Sequence, residues 1–299
     1  MKTNAIIRII IWSLVLVILG GILCGFLIEE TYLNNYTKTR IDPTEGITDW
    51  DQSNAASESA EALNFDSDSI SEIKIEWVAG NITIVKKQNI HTIRVQEYAP
   101  NNSQYQMVAK ANGKSLKIQF FEGKHWYGIH DSAGSKDLLI EVPDSWICQK
   151  LELDIAAANL EIHKLAIQEV DIDGASGTCK FVNCMIPDLD IDTASGDVTF
   201  TGLLDTLDFD AASASFMGEF QNTPKSIDMD GLSGSLDIAL PEDCGFTVSM
   251  DGLSSRFSSD FYGTENRNGA HIYGDGRCRI QVDGMNVDVT IRKLDTILQ

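Results

Sequence analysis

Apolar and polar residues alternate with a period close to two along most of the chain after residue 72. In the first run, Ile73, Ile75 and Trp77 alternate with charged residues, and Gly80-Asn81 predicts a turn after it. Further runs of this kind occupy residues 92–98, 105–109, 116–120 and 138–142. Because no helical period is sustained in this stretch, the pattern predicts an all-β region over residues 71–150.

From residue 151 the chain repeats a strand of the form Φ-Asp-Φ-Asp followed by a turn of small residues such as Ala-Ser-Gly. The repeats start at residues 151, 170, 189, 207, 227 and 248, which gives spacings of 19, 19, 18, 20 and 21 residues, and a shorter echo occupies 282–291. Such self-similarity predicts a solenoid, because one unit cannot bury its own apolar face but stacked units share a core. We therefore predict a parallel β-solenoid (β-helix) over residues 151–299, with its coils in register.

The N-terminus carries a different pattern. Residues 9–28 form 20 consecutive uncharged, mostly apolar residues, which is long enough to cross a bilayer as a helix. Lys2 and Arg8 precede this segment and Glu29 and Glu30 follow it, so the positive-inside rule places the N-terminus in the cytoplasm. A cleaved signal peptide is the alternative, but the apolar run is longer than usual and no small-x-small cleavage site follows. We predict an uncleaved transmembrane signal anchor within residues 1–30, with the β region outside the bacterial cell membrane.

Residues 31–70 show no sustained apolar period. Between residues 41 and 70 the chain has eight acidic residues and no basic one. Like charges repel one another and extend a chain, so this segment is predicted to be a flexible acidic linker.

The composition of the chain excludes several classes of function. The chain has 44 Asp and Glu against 23 Lys and Arg, a formal net charge of −21, which argues against binding nucleic acid. The six cysteines form no C-x-x-C motif, and this excludes a zinc ribbon and a thioredoxin-type redox motif. Cys179 and Cys184 align with core positions of other repeats, whereas the pattern leaves open whether Cys148, Cys244 or Cys278 forms a disulfide in an exported protein.

Several motifs together resemble a known family. Ser-Gly turns recur at Ser176-Gly177, Ser195-Gly196 and Ser233-Gly234, and prolines end two strands at Pro143 and Pro241. With the Gly80–Ile84 segment, these features resemble the bacterial adhesin-like β-strand-repeat family, a domain of unknown function, over residues 71–292. The resemblance implies a membrane-anchored, extracytoplasmic parallel β-solenoid, and it supplies no catalytic residues.

The outward acidic residues of the repeats are the main candidates for a site. Stacking in register would place Glu152 and its equivalents in one column, and Asp154, its equivalents and Asp251 in a second. Carboxylates about 5 Å apart repel one another, so they bind cations, shift their pKa upward or remain a solvated face. The residues considered for a weak Ca²⁺ site are Asp171, Asp173, Asp190, Asp192, Asp208, Asp210, Asp228 and Asp230. The glycine-rich nonapeptide of Ca²⁺-binding β-helices is absent from the sequence, and a solvated face is the competing interpretation.

Catalysis finds little support in the sequence. Ser176 lies in a near match to a nucleophile elbow, but the same turn recurs in successive units, which indicates turn chemistry. A glycosidase needs two carboxylates close together, and any acidic column of stacked coils supplies such a pair. The spacing of the carboxylates therefore does not indicate a glycosidase. The segment with His125, Trp126 and His130 is interpreted as a cap over the first core layer or as a ligand site. We predict a non-enzymatic adhesion, scaffold or envelope-sensing module with an envelope protein or polysaccharide as partner; the alternative is a carbohydrate-active or polysaccharide-binding β-helix that uses Asp clusters.

Overall fold

A computed structural model describes residues 61–98, 106–121 and 134–294, and every regular element in these ranges is a β-strand. They belong to the unit Ala55–Gln299 of the chain. None of the described residues forms a helix long and apolar enough to cross a membrane. The predicted anchor at residues 9–28, residues 31–60 of the predicted linker and the His125–His130 segment lie outside the described residues.

The strands join one sheet that winds through successive coils. They are β1 (Leu63–Asp66), β2 (Glu72–Lys87), β3 (Thr92–Tyr98), β4 (Val108–Asn112), β5 (Ser115–Gln119), β6 (Asp137–Pro143), β7 (Cys148–His163), β8 (Ile167–Phe220), β9 (Ser226–Leu240), β10 (Phe246–Asp251), β11 (Arg256–Ser259), β12 (Thr264–Glu265), β13 (His271–Tyr273) and β14 (Cys278–Lys293).

Parallel pairing in the predicted register forms the body of the fold. Strand β2 pairs with β7 through Ile75 and Leu153, and β7 pairs with β8 through Leu153 and Ile172. The 54 residues of β8 run through three repeat units before its last part pairs with β9. The all-β, β-solenoid-like architecture predicted from the repeat is therefore confirmed.

The core is built from equivalent inward positions of successive coils. Ile172, Ile191, Phe209 and Met229 are each at most 1% exposed. After the corners, the rings of Phe181, Phe200 and Phe220 form a row. The ring centroids lie 5.8 Å apart for Phe181 and Phe200 and 5.7 Å apart for Phe200 and Phe220. Alternation thus selects the buried face, and the repeat stacks like positions on one another.

The Ser-Gly pairs form the corner at which each coil bends. Gly196 has a φ of 147°, and a Cβ at this position would lie 2.0 Å from the carbonyl oxygen of Gly177 in the preceding coil. Gly177 stands in the same relation to Ala158. Only glycine permits this close approach of two backbones, so the recurring Ser-Gly pair is a corner element of the fold.

The spatial order of the coils departs from chain order at the C-terminal end. Strand β14 pairs with β9 on one side and with β10 and β11 on the other. Stacking in chain order would pair the repeat at residue 248 directly with that at residue 227, and this expectation is wrong. The alternating patterns of β10 and β14 suit either position equally, and the structure places β14 inside.

The N-terminal end departs from chain order in a similar way. Strand β2 lies between β7 and an outer coil made of β5 and β6, although β5 and β6 follow it in the chain. At both ends the outer coil is split into two strands and covered by antiparallel ones: β1, β3 and β4 at the first end, β12 and β13 at the last. Such covering strands shield the open edge of a parallel stack from further pairing.

The described β structure begins before residue 71. Strand β1 lies within the predicted linker and pairs with β3 through Phe65 and Ile93. Phe65 packs against the core and Ile70 is 3% exposed, so the end of the predicted linker contributes to the first cap.

Candidate functional site: the acidic face

Two columns of carboxylates follow the outer surface of the strands that precede the corners. The inner column contains Glu152, Asp171, Asp190, Asp208 and Asp228, and the outer column, next to the corner, contains Asp154, Asp173, Asp192, Asp210 and Asp230. We call these two columns, with Asp283 and Asp251, the acidic face. The structure thus brings together all eight residues considered for cation binding.

The outer column continues beyond Asp230 in an order that the sequence did not reveal. Asp283 of β14 pairs with Asp230 on one side and with Asp251 on the other. Asp251 is therefore in the predicted column but one layer farther along it. The Asp-Gly-Φ motif shared by residues 230–232, 251–253 and 283–285 was the signal that Asp283 belongs to the same column.

Burial and mutual repulsion raise the pKa values of the central carboxyls. Partial desolvation, followed by the charges of Asp230, Asp192 and other acidic neighbours, raises the pKa of Asp210 to about 7. Desolvation and then the charge of Asp208 raise the pKa of Asp190 to about 6. The pKa values of Asp173 and Asp192 are raised for the same reasons.

Basic residues pair with a few members of the acidic face. Lys74 of β2 binds Glu152 and lies 3.2 Å from Asp154, and Arg279 of β14 lies 2.6 Å from Asp228. Lys150 forms a further pair with Asp171, at 3.4 Å. These pairs neutralise charge at Glu152 and Asp154 at one end and at Asp228 toward the other, and the pKa values are raised most at Asp190 and Asp210 between them.

The strands that follow the corners carry both acidic and basic side chains on their outer surface, and we call this surface the mixed wall. Glu161 lies 2.9 Å from Lys180 and 3.0 Å from His163, and Asp237 lies 2.8 Å from Arg292. The hydrogen bond from His163, with the contribution of Lys180, lowers the pKa of Glu161 to about 2. Glu161 and Asp237 of this wall are therefore paired with basic side chains.

No three His, Cys, Asp or Glu side chains are grouped as a metal-ligand set in the part of the chain that the structure describes. The stacked carboxylates instead form rows along the fold. Binding of Ca²⁺ by the acidic face stays a prediction.

Cysteine chemistry is suppressed by burial. Cys148, Cys179, Cys184, Cys244 and Cys278 are free and buried. Desolvation raises the pKa of Cys179 to about 12 and that of Cys278 likewise to about 12. Because the thiolate is the reactive form, these side chains act as small core residues, as the alignment of Cys179 and Cys184 predicts.

The raised pKa values predict that the fold becomes more stable as the pH falls from about 8 to about 5. A carboxyl whose pKa is higher in the folded state contributes stability below its unfolded pKa of about 4 and loses it as the pH rises through about 6 to 7. Replacing Asp210 by Asn should therefore raise the melting temperature at pH 8 and flatten this dependence. After allowance for screening by water, we expect about 1 kcal/mol, or about 2–4 °C.

Asp237→Asn is the matched control, because Asp237 accepts a hydrogen bond from Arg292 at 2.8 Å on the mixed wall. That variant should gain no stability at pH 8. Melting curves across the pH range for the two variants decide the question, and an Asp210→Asn variant less stable than the wild type at pH 8 would contradict the repulsion described above.

The described residues define a β-solenoid-like protein with a periodic acidic face and split coils at both ends. The chain belongs to the Toastrack DUF4097 family, whose model matches residues 70–292. This confirms the family resemblance deduced from the Ser-Gly turns. No curated protein matches the chain.

Solved structures to which this chain is similar come from several bacteria. An adhesin candidate from Bacteroides fragilis has 11% identity and a TM-score of 0.47, with 80% of this chain and 98% of that chain covered. A cell adhesion candidate from Clostridium sporogenes has 10% identity and a TM-score of 0.38, covering 79% and 99%. A lipid-binding candidate from Parabacteroides distasonis has 12% identity and a TM-score of 0.37, covering 79% and 97%.

Proposed function

We propose that the protein is a non-enzymatic adhesion, scaffold or envelope-sensing module, held at the bacterial cell membrane by residues 9–28 and displaying its β domain outside. The observation that carries this proposal is the periodicity of the acidic face. Coil after coil presents the same carboxylate pair before the same corner, so the central coils offer a repeated surface. An active site needs a convergent set of unlike groups, whereas a repeated surface suits recognition of an extended partner.

The charge distribution supports a binding role. Within the described residues, the groups that raise the pKa values of Asp190 and Asp210 are other carboxyls and burial. Stacking like charges at the spacing of β-strands works against folding, so the arrangement has a cost that a partner or cation would relieve. An envelope protein or a polysaccharide is the partner class that we propose for this face.

The orientation is tested by proteolysis of intact protoplasts. Because Lys2 and Arg8 flank one end of residues 9–28 and two glutamates flank the other, we expect added protease to digest the β domain while a cytosolic marker survives. A β domain that stays protected until the membrane is permeabilised would contradict the proposed topology.

The binding role is tested by crosslinking on the same cells. A photo-reactive residue at position 190, on the acidic face, should capture an envelope component. The same residue at position 199, which is exposed on the mixed wall of the same coil, is the control. Capture from neither position, or equally from both, would contradict the proposal.

A further inference from the structure

An exposed apolar stripe follows the corner of the last three layers. Its residues are Leu232 of β9, Met285 of β14 and Leu253, which follows β10, with exposed fractions of 43%, 55% and 84%. We call these three residues the corner stripe. Each is the third residue of an Asp-Gly-Φ motif, and each comes from a different segment of the chain.

The swapped order of the coils makes the corner stripe continuous. Gly284 packs between Gly231 and Gly252: a Cβ on Gly284 would lie 2.6 Å from the oxygen of Gly231, and one on Gly252 would lie 2.4 Å from that of Gly284. The backbone NH of Ser254 also donates to the oxygen of Met285 at 3.0 Å. The glycines allow the three backbones to approach closely, and the residue that follows each glycine is exposed.

The corner stripe is a local departure from the repeat. At the equivalent corner position, the four preceding coils carry Ala156, Ala175, Ala194 and Ala212. Single exposed apolar residues are common on protein surfaces, but exposed large apolar residues at the same corner of three adjacent layers are typical of interaction sites.

The charge beside the corner stripe restricts its occupant. Two residues before each apolar side chain, on the same outward face, are Asp230, Asp283 and Asp251 of the acidic face. The basic side chains nearby are already paired: Arg279 lies 2.6 Å from Asp228, and Arg256 lies 3.4 Å from Asp288. A second copy of this surface or an anionic membrane would be repelled, and a partner that combines apolar and basic groups would be attracted.

The spacing favours a helix. Neighbouring layers lie about 4.8 Å apart, so the apolar and acidic rows both repeat at that distance. Residues i and i+4 on one face of a helix lie about 5–6 Å apart, whereas alternate residues of an extended strand lie about 6.6 Å apart. A helix with apolar residues in one row and Lys or Arg in the next matches both rows better than a strand does.

We propose that the corner stripe, with the adjacent end of the acidic face, is a docking site for a basic amphipathic helix of a partner protein. This inference rests on the proposed binding function and gives the partner a chemistry. The apolar row provides contact area, and the aspartates fix the side on which the cationic row of the helix lies.

The test uses the full-length chain in nanodiscs and three labelled helical peptides. One has leucines at i, i+4 and i+7 flanked by lysines, the second replaces its leucines by serine, and the third replaces its lysines by glutamate. Fluorescence anisotropy should detect binding of the first peptide and at least about tenfold weaker binding of the other two. Equal binding of the serine peptide would reduce the site to charge alone and overturn the proposal.

Variants of the protein locate the site. Leu253→Ser and Met285→Ser should each weaken binding of the first peptide about fivefold to tenfold, since both residues are exposed and their replacement leaves the core intact. Met217→Ser is the matched control, because Met217 is 51% exposed on the mixed wall, and its variant should bind like the wild type. Equal losses from Met217→Ser and Leu253→Ser, or no loss from either stripe variant, would overturn the proposal.

Two outcomes separate this inference from the proposed function. If the photo-reactive residue at position 190 still captures its envelope component in a cell that carries Leu253→Ser and Met285→Ser, and the peptides do not bind, the docking site is wrong and the binding function stands. If the stripe variants instead reduce binding to lipid vesicles and leave peptide binding unchanged, the stripe faces a membrane and the helix proposal is overturned.

Discussion

Replacing Ile191 by Asp is expected to unfold the middle of the solenoid. Ile191 is 1% exposed and lies between equivalent buried residues of the coils before and after it, Ile172 and Phe209. The residues around it include Ile155, Ile172 and Val198 and no basic one, so a carboxylate at this position would be buried without a partner, and we expect a loss on the order of 4 kcal/mol or more. Because a domain is stable by only about 5–15 kcal/mol in total, the change removes much of the margin.

Circular dichroism during thermal and urea unfolding measures this effect. In a repeat fold each coil depends on its neighbours, so the variant should unfold early and with reduced cooperativity. Ile191→Val, which deletes one methyl group, should lose about 1 kcal/mol. Thr199→Asp adds the same charge at an exposed position of the same coil and should leave the melting curve almost unchanged. An Ile191→Asp variant that melts like Thr199→Asp would show that the described register is wrong.

The face that each strand buries could be predicted because it depends on local sequence. Alternation with period two places Val170 and Ile172 inward and Asp171 and Asp173 outward, and the structure has them so. Repetition then extends the same choice to every coil, which is why Ile191, Phe209 and Met229 were identifiable as core residues and the aspartates as two columns.

The order of the coils at the ends could not be predicted, because alternation does not specify the neighbour of a strand. Strands β10 and β14 have the same Φ-x-Φ-Asp-Gly pattern and could each pair with β9. Their choice depends on the return of the chain through β12 and β13 between them, which is a long-range property. The corner stripe was missed for the same reason, since Leu232, Met285 and Leu253 become neighbours only when β14 is inserted.

A buried ion pair at the first end was also outside the reach of the sequence. Lys136 and Glu97 belong to the non-repeating part of the chain, where no equivalent position in another coil indicates a role. Their side chains are 0% and 4% exposed, and Lys136 Nζ lies 2.5 Å from Glu97 Oε1. Alternation does not predict a fully buried lysine, because a lysine at an inward position indicates that the alternating pattern of the strand has ended.

The surroundings of Lys136 tie several strands of the N-terminal cap together. Its ammonium group donates to the carbonyl oxygen of Phe120 and lies 4.0 Å from the centre of the Phe120 ring and 5.4 Å from that of Trp77. The indole NH of Trp77 donates to the carbonyl oxygen of Lys136 at 3.0 Å, and the backbone NH of Met107 donates to Glu97 at 2.7 Å. Burial lowers the pKa of Lys136, and the hydrogen bond with Glu97 partly offsets this effect.

Replacing Lys136 by Met should therefore destabilise the protein by about 3–5 kcal/mol, because it leaves the charge of Glu97 buried and unpaired. The double variant Lys136→Met/Glu97→Gln should recover most of this loss, since no buried charge remains and the amide oxygen can still accept from Met107.

Lys225→Met is the control: Lys225 lies 2.8 Å from Asp205, but its side chain is 74% exposed, and its loss should cost less than about 1 kcal/mol. Urea unfolding of the wild type, the single variants Lys136→Met and Glu97→Gln and the double variant gives the coupling energy, and Lys225→Met is measured beside them. If Lys136→Met costs no more than Lys225→Met, or if the double variant is less stable than the single one, the buried pair does not hold the cap together.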